Sequence, residues 1–69
     1  MNNLKVIYIE NNVQHEVAYK NISYSKLKRL KRKYLIADDK CKITVLELVI
    51  TYESGNFLKT EILHSLNQQ

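Results

Sequence analysis

The spacing of apolar residues changes twice along this chain, and the two changes define its elements. Before Tyr24 and after Ala37, the chain either alternates apolar with polar side chains, as in Val13–Lys20, or is rich in β-branched and aromatic residues, as in Leu4–Ile9; between them apolar residues recur at a helical spacing. Alternation predicts strands, because successive side chains of a strand point to opposite faces of a sheet, and a 3.6-residue repeat predicts a helix. Two strands lie on each side of the helix, so the predicted order is ββαββ and the fold class is α+β.

Turns join the predicted strands in pairs. Asn11-Asn12 separates the first pair, and asparagine tolerates the positive φ that a two-residue hairpin requires. Ser54-Gly55-Asn56 separates the second pair and contains the only glycine of a chain that has no proline. The predicted strands are Leu4–Ile9, Val13–Lys20, Cys41–Tyr52 and Phe57–His64.

The distribution of charge among the strands predicts their order in the sheet. The first and third strands carry apolar side chains on both faces, as expected of central strands. The second and fourth strands are charged on one face, which protects an exposed edge against pairing with another sheet. The charged residues are Glu16, Lys20, Lys59 and Glu61. We therefore predict a four-stranded antiparallel sheet ordered 2-1-3-4, with the helix returning over one face as a right-handed crossover.

The helix is predicted over Tyr24–Ile36. Ser23 or Ser25 supplies an N-cap, because a serine hydroxyl accepts a hydrogen bond from a free N–H of the first turn. Acidic residues at a helix C-terminus oppose the helix dipole, so Asp38-Asp39 predicts an end near Ala37. The apolar stripe consists of Leu27, Leu30 and Tyr34, with Tyr24, Leu35 and Ala37 at its margins.

One helix covers only one face of such a sheet. If it packs on the face that carries Leu46, Leu48 and Ile50, the other apolar residues of the third strand lie on the open face. These residues are Ile43, Val45 and Val49. An exposed apolar patch on a small protein is typical of a contact surface, so we predict an interface there, with a homodimer as one form of it. Scattered surface aliphatics are the alternative.

The positive charge of the chain is concentrated in one segment. The 69 residues carry a net charge of +4, but Lys20–Lys33 contains seven cations and no acid, while the remainder has four lysines and seven acids. Unmixed cations repel one another on a helix, so such a surface favours an anionic partner. The predicted binding residues are Lys20, Lys26, Lys28, Arg29, Lys31, Arg32 and Lys33. Tyr24 and Tyr34 flank this run and are expected to pack on the sheet, with base stacking as the alternative.

Catalytic and metal-binding chemistry has little basis in the sequence. Cys41 lies between Lys40 and Lys42, but no histidine is near it in sequence to act as a base. One cysteine with His15 and His64 does not form a metal-ligand spacing. We therefore expect no enzyme activity, no cofactor and no metal site. A lone cysteine also fits a reducing, cytoplasmic setting, and no apolar run reaches the roughly 20 residues of a membrane span.

Two binding functions fit these features. The leading hypothesis is a small single-domain regulatory protein, spanning residues 1–69, that binds DNA or RNA through the basic helix, mainly by phosphate contacts. The alternative is an inhibitor or adaptor that docks on an acidic or apolar surface of a host protein. The size and composition resemble those of small accessory proteins of bacteria or their phages, which act by binding. A plainly solvated helix surface, or contact of the helix with a membrane surface, is the remaining interpretation.

Overall fold

The computed structural model describes residues 2–54 and 57–63. It contains β1 (Asn2–Glu10), β2 (Val13–Ile22), α1 (Tyr24–Asp39), β3 (Thr44–Ser54) and β4 (Phe57–Leu63). The strands form a sheet ordered β2-β1-β3-β4 in which every neighbouring pair is antiparallel. The predicted α+β class, the ββαββ order and the strand order are confirmed. Among the described residues, no helix has the length and apolarity needed to cross a membrane.

The hairpin between β1 and β2 has the predicted turn. Asn11 and Asn12 have φ values of 54° and 65°, the left-handed conformation that a tight two-residue turn requires. Asparagine adopts this conformation more readily than most residues. In the second hairpin, the whole of β4 pairs with residues 48–54 of β3, whereas Gly55, Asn56 and His64 lie outside the described residues.

The helix begins where the sequence predicts and ends later. Ser23 is the N-cap, and its Oγ accepts a hydrogen bond from the Lys26 N–H at 3.2 Å. The helix continues through Asp38 and Asp39, so the prediction that these acids end it was wrong. Asp38 is fully buried, and its Oδ1 accepts a hydrogen bond from the Val45 N–H at 3.0 Å. This tertiary contact offsets the unfavourable position of an acid near the helix C-terminus.

A left-handed residue closes the C-terminus of α1. Cys41 has φ 59°; its N–H donates to the Asp38 carbonyl at 3.0 Å, and the Lys42 N–H donates to the Ala37 carbonyl at 2.9 Å. This is the pattern of a Schellman motif, in which glycine is the usual left-handed residue. Because Cys41 belongs to this turn, the prediction that the third strand begins there was wrong, and β3 begins at Thr44.

The hydrophobic core lies between α1 and the two central strands. α1 contributes Leu27, Leu30 and Tyr34, the stripe that the sequence predicts. The core residues are Leu4, Val6, Leu27, Leu30, Tyr34, Ile43, Val45, Leu48 and Ile50. Full burial of one such aliphatic side chain contributes roughly 1.5–3 kcal/mol. This layer holds α1 on the sheet and leaves the opposite side of the helix to solvent.

A β-bulge changes which residues of β3 face the helix. Consecutive residues of β1, Ile7 and Tyr8, pair with Glu47 and Val45. Leu46 is therefore an extra residue in β3. An extra residue inverts the alternation of side chains along a strand, so residues before the bulge change faces relative to a regular strand.

Because of the bulge, two of the three residues predicted to form an apolar interface lie in the core. Ile43 and Val45 are buried in the core, at 7% and 0% exposure, so the prediction that they lie on the open sheet face was wrong. Val49 follows the bulge, pairs with Lys5, and is half-buried on the open face as predicted. The alternation pattern did not reveal the inversion, because both faces of β3 are apolar and a shifted register looks the same in sequence.

Candidate functional site

The outward side of α1 carries most of the cations that the sequence singles out. A helix turns by about 100° per residue, so Arg29 and Arg32 point away from the buried stripe. We call the six cations of the helix the basic surface. They are Lys26, Lys28, Arg29, Arg32 and Lys33, all exposed, and Lys31, which is half-buried. The structure therefore brings six of the seven predicted binding residues onto one helix.

The lysines of the basic surface lie on two flanks beside the arginines. On the flank over β4, Lys31 Nζ lies 3.8 Å from Glu61 Oε2. On the flank over β2, Lys33 Nζ lies 5.8 Å from the ring centroid of Tyr34. Lys26 lies on the same flank as Lys33 by helical rotation. The guanidinium groups of Arg29 and Arg32 thus lie at the centre of the outward side of α1, with lysine ammonium groups on either side.

Lys20 is the predicted binding residue that does not join this surface. It follows Tyr19, whose hydroxyl lies 3.0 Å from the Tyr34 hydroxyl of α1. Because successive side chains of a strand point to opposite faces, Lys20 lies on the sheet face away from α1. Its grouping with the helix cations was wrong, since proximity in sequence does not specify the sheet face.

The charges of α1 oppose the helix dipole at both ends. The first turn has no acidic residue and contains Lys26, while the last turn has no basic residue and contains Asp38 and Asp39. A charge of the wrong sign at a helix terminus is unfavourable by roughly 0.3–1 kcal/mol. The basic surface therefore does not serve the stability of the helix. It adds instead to the positive potential of the free N–H groups at the helix N-terminus.

This opposition makes Lys26→Glu a stabilising change. Glutamate three residues after the Ser23 N-cap completes a capping box and removes a cation from the positive end of the dipole. We expect urea denaturation to show an increase of about 0.5–1 kcal/mol in the free energy of unfolding. Lys26→Gln should give part of the gain, because glutamine also fits the capping box without the charge. A lower unfolding midpoint for the glutamate variant would contradict this electrostatic account.

The flank over β4 combines an exposed aromatic ring with cations and one carboxylate. Tyr24, the first residue of α1, is 58% exposed, and Lys28 Nζ lies 5.5 Å from its ring centroid. The Tyr52 hydroxyl donates to Glu61 Oε1 at 3.1 Å, and this hydrogen bond raises the pKa of Tyr52. The pair between Lys31 and Glu61 is long and partly exposed, so it contributes at most about 1 kcal/mol. Glu61 therefore reduces the positive charge of the basic surface near Lys31 without neutralising the whole surface.

The tyrosines on the β2 flank are structural. Tyr34 is 7% exposed and shares a hydrogen bond with Tyr19; burial, followed by this hydrogen bond, raises the pKa of the Tyr34 hydroxyl above its ordinary value. The ring of Tyr8 lies between those of Tyr34 and His15, and the distances between ring centroids are 5.5 Å and 5.1 Å, respectively. The expectation of packing is therefore confirmed for Tyr34 and wrong for Tyr24, which lies beyond the edge of the core.

The other predicted positions are dispersed over the molecule. On the open sheet face, Lys5 and Glu16 form an ion pair at 2.9 Å. On β4, exposed Ile62 pairs with Val49 and exposed Leu58 pairs with Glu53. Cys41 is exposed in the turn after α1. In residues 2–54 and 57–63, no three side chains of His, Cys, Asp or Glu come together as metal ligands would.

No protein-family model, no curated protein and no solved structure matches this chain. The function is therefore inferred from the residues of the chain itself.

Proposed function

We propose that this protein is a small regulatory binding protein that contacts nucleic acid through the basic surface of α1, mainly at the phosphates. The observation that carries the proposal is the concentration of six cations, five of them exposed, on one side of a 16-residue helix. The carboxylates of α1 itself are confined to its last two residues.

The free helix is electrostatically unfavourable. Lys28 with Arg32, and Arg29 with Lys33, are like charges four residues apart, and each pair costs a few tenths of a kcal/mol. A polyanion removes this repulsion and releases counterions from its own backbone. Both effects favour a partner with regularly spaced negative charge, which is the property of a phosphodiester chain.

The residue types also suit phosphate. The guanidinium groups of Arg29 and Arg32 can each donate two hydrogen bonds to one phosphate, while the lysines act as point charges. An α-helix rises about 1.5 Å per residue, so the cations between Lys26 and Lys33 extend over roughly 10 Å. This length matches a short stretch of a nucleic-acid strand and is too short for extensive base readout.

The test is a binding titration over a salt series. Labelled DNA and RNA oligonucleotides, single-stranded and duplex, are followed by fluorescence anisotropy from about 50 to 200 mM salt. If four or five phosphates are contacted, the logarithm of the association constant for duplex DNA should fall with a slope of roughly −4 against the logarithm of salt concentration. No binding at the lowest salt, or an affinity independent of salt, overturns the proposal.

A second candidate is an inhibitor or adaptor that docks on an acidic or apolar surface of another protein. The observation that favours it is the open sheet face, where Ile62, 56% exposed, lies beside half-buried Val49, and Leu58 further along β4 is 70% exposed. Capture of partners from a lysate with and without nuclease separates the two candidates, because only a nucleic-acid-mediated complex is lost on digestion. Self-association through this face stays a prediction.

A further inference from the structure

The basic surface contains one aromatic side chain that the core does not use. Tyr24 is 58% exposed, although tyrosine is large and usually gains by packing. It occupies the first position of α1, on the flank over β4, and the ammonium group of Lys28 lies over its ring. This exposed ring within a group of cations does not belong to the core that holds α1 on the sheet.

We propose that this flank binds single-stranded nucleic acid in preference to duplex, with one unpaired base stacked on Tyr24. Lys28 and Arg32 hold neighbouring phosphates of the same strand. The inference rests on the proposed function and adds the class of nucleic acid to it.

The preference follows from which base surfaces are accessible. In a duplex, both faces of each internal base are covered by its neighbours, so a tyrosine ring gains stacking only by separating two base pairs at considerable cost. In a single strand the base faces are accessible, and stacking on an aromatic side chain tolerates any base because every base has a π-face. Tyr24 therefore adds to the binding of a single strand and not to that of a regular duplex.

The placement of the cations allows both contacts at once. Lys28 and Arg32 are four residues apart on α1, so their Cβ atoms are about 5–6 Å from each other, a separation of the same order as that between adjacent phosphates of one strand. Lys28 Nζ lies over the Tyr24 ring, 5.5 Å from its centroid. A phosphate that draws this ammonium group away from the ring uncovers that face for the base of an adjoining nucleotide.

The local shape supports the same assignment. An open groove of ≈ 670 Å³ along α1 is lined mainly by Tyr24, Lys28, Arg29, Lys31 and Arg32. The ring and the cations therefore border the same open space, with Leu35 and Ile36 at its far end. The opposite flank offers no counterpart, because the ring of Tyr34 is buried and its hydroxyl is hydrogen-bonded to Tyr19.

The experiment compares one oligonucleotide in two forms. The whole chain is titrated by fluorescence anisotropy with a mixed-sequence single strand and with a duplex of the same length at one low salt concentration. We expect tighter binding of the single strand. Tyr24→Ala should weaken single-strand binding by about tenfold, within the range found for loss of one stacked base, and should leave duplex binding within about twofold. Tyr24→Phe should retain the single-strand affinity, and Tyr24→Leu, apolar but not aromatic, should not.

The controls separate stacking from folding. Circular dichroism and urea denaturation establish that each variant is folded, which the exposure of Tyr24 leads us to expect. A strand carrying 2-aminopurine should change its fluorescence on binding the parent protein and much less on binding Tyr24→Ala. Equal or tighter binding of duplex, or an equal loss of both forms in Tyr24→Ala, overturns this inference while the proposed function stands. Absence of binding to either form overturns the proposed function as well.

Discussion

Reversing two charges of the basic surface, Lys28→Glu with Arg32→Glu, is expected to lower the affinity for nucleic acid by about 100-fold or more at moderate salt. Each change removes a hydrogen-bonded contact to a charged group, which is typically worth roughly 1.5–3 kcal/mol, and puts a negative charge beside the phosphates. The measurement is the same anisotropy titration, with affinities compared at a fixed salt concentration because each lost phosphate contact also reduces the salt slope by about 1.

The matched control changes the net charge equally at other places. Lys20→Glu with Lys42→Glu also alters the formal charge by four units, but Lys20 lies on the opposite sheet face and Lys42 in the turn after α1. We expect this pair to reduce affinity by no more than a few-fold, through long-range electrostatics that salt screens. Equal losses for the two pairs would show that total charge, and not the helix surface, controls binding.

The two charge-reversed pairs also test the second candidate function, in which the protein docks on another protein. If the parent protein binds no nucleic acid but captures a protein, and Lys28→Glu with Arg32→Glu abolishes that complex, the basic surface serves an acidic protein. If both charge-reversed pairs retain every complex of the parent protein, the basic surface is solvated and without a partner. Loss of folding does not account for these results, because an exposed charge change away from the ends of a helix usually alters stability by no more than about 0.5 kcal/mol.

Replacing Asp38 by alanine is expected to lower the free energy of unfolding by about 2 kcal/mol, a large fraction of what so small a domain has. Asp38 is 0% exposed and its Oδ1 accepts the hydrogen bond from Val45 N–H. Alanine leaves that buried N–H without its side-chain acceptor and creates a small cavity between the end of α1 and the start of β3. Urea denaturation followed by circular dichroism measures the loss.

Asp39 provides the matched control for this prediction. It is the next residue, has the same side chain and belongs to the same helical turn, but it is exposed. Asp39→Ala should change stability by less than about 0.5 kcal/mol, with a small gain possible because an acid opposes the dipole at this end. Asp38→Asn should lose less than Asp38→Ala, since the amide oxygen can still accept the hydrogen bond. Similar losses at positions 38 and 39 would refute the assignment of Asp38 as a tertiary hydrogen-bond acceptor.

Most of the fold was predictable because the relevant signals are local and repeated. The β-branched and aromatic residues of β1, the pair Asn11-Asn12 and the serine at position 23 each specify the conformation of their own segment, and the charged edge strands specify the sheet order. The bulge at Leu46 was not predictable in the same way. A single extra residue changes the face of Val45, but it leaves an apolar strand apolar on both faces.

The sequence predicted the cations that form the basic surface, but not which tyrosine beside them is exposed. The run of cations from Lys26 to Lys33 indicated a charged helix surface, and helical rotation placed it opposite the apolar stripe. Tyr24 and Tyr34 carry the same side chain at opposite ends of that run. Only the position of each relative to the sheet makes one exposed and the other buried.

The amino-acid sequence by itself determined the element order, the strand order, the apolar stripe of α1 and the basic surface, because each depends on periodicity or charge within a continuous segment. The tertiary structure decided the faces of Ile43, Val45 and Lys20, the burial of Asp38 beside exposed Asp39, and the exposure of Tyr24. These depend on registry between segments that are distant in the chain. A one-residue shift at such a contact changes burial completely while leaving every local pattern intact.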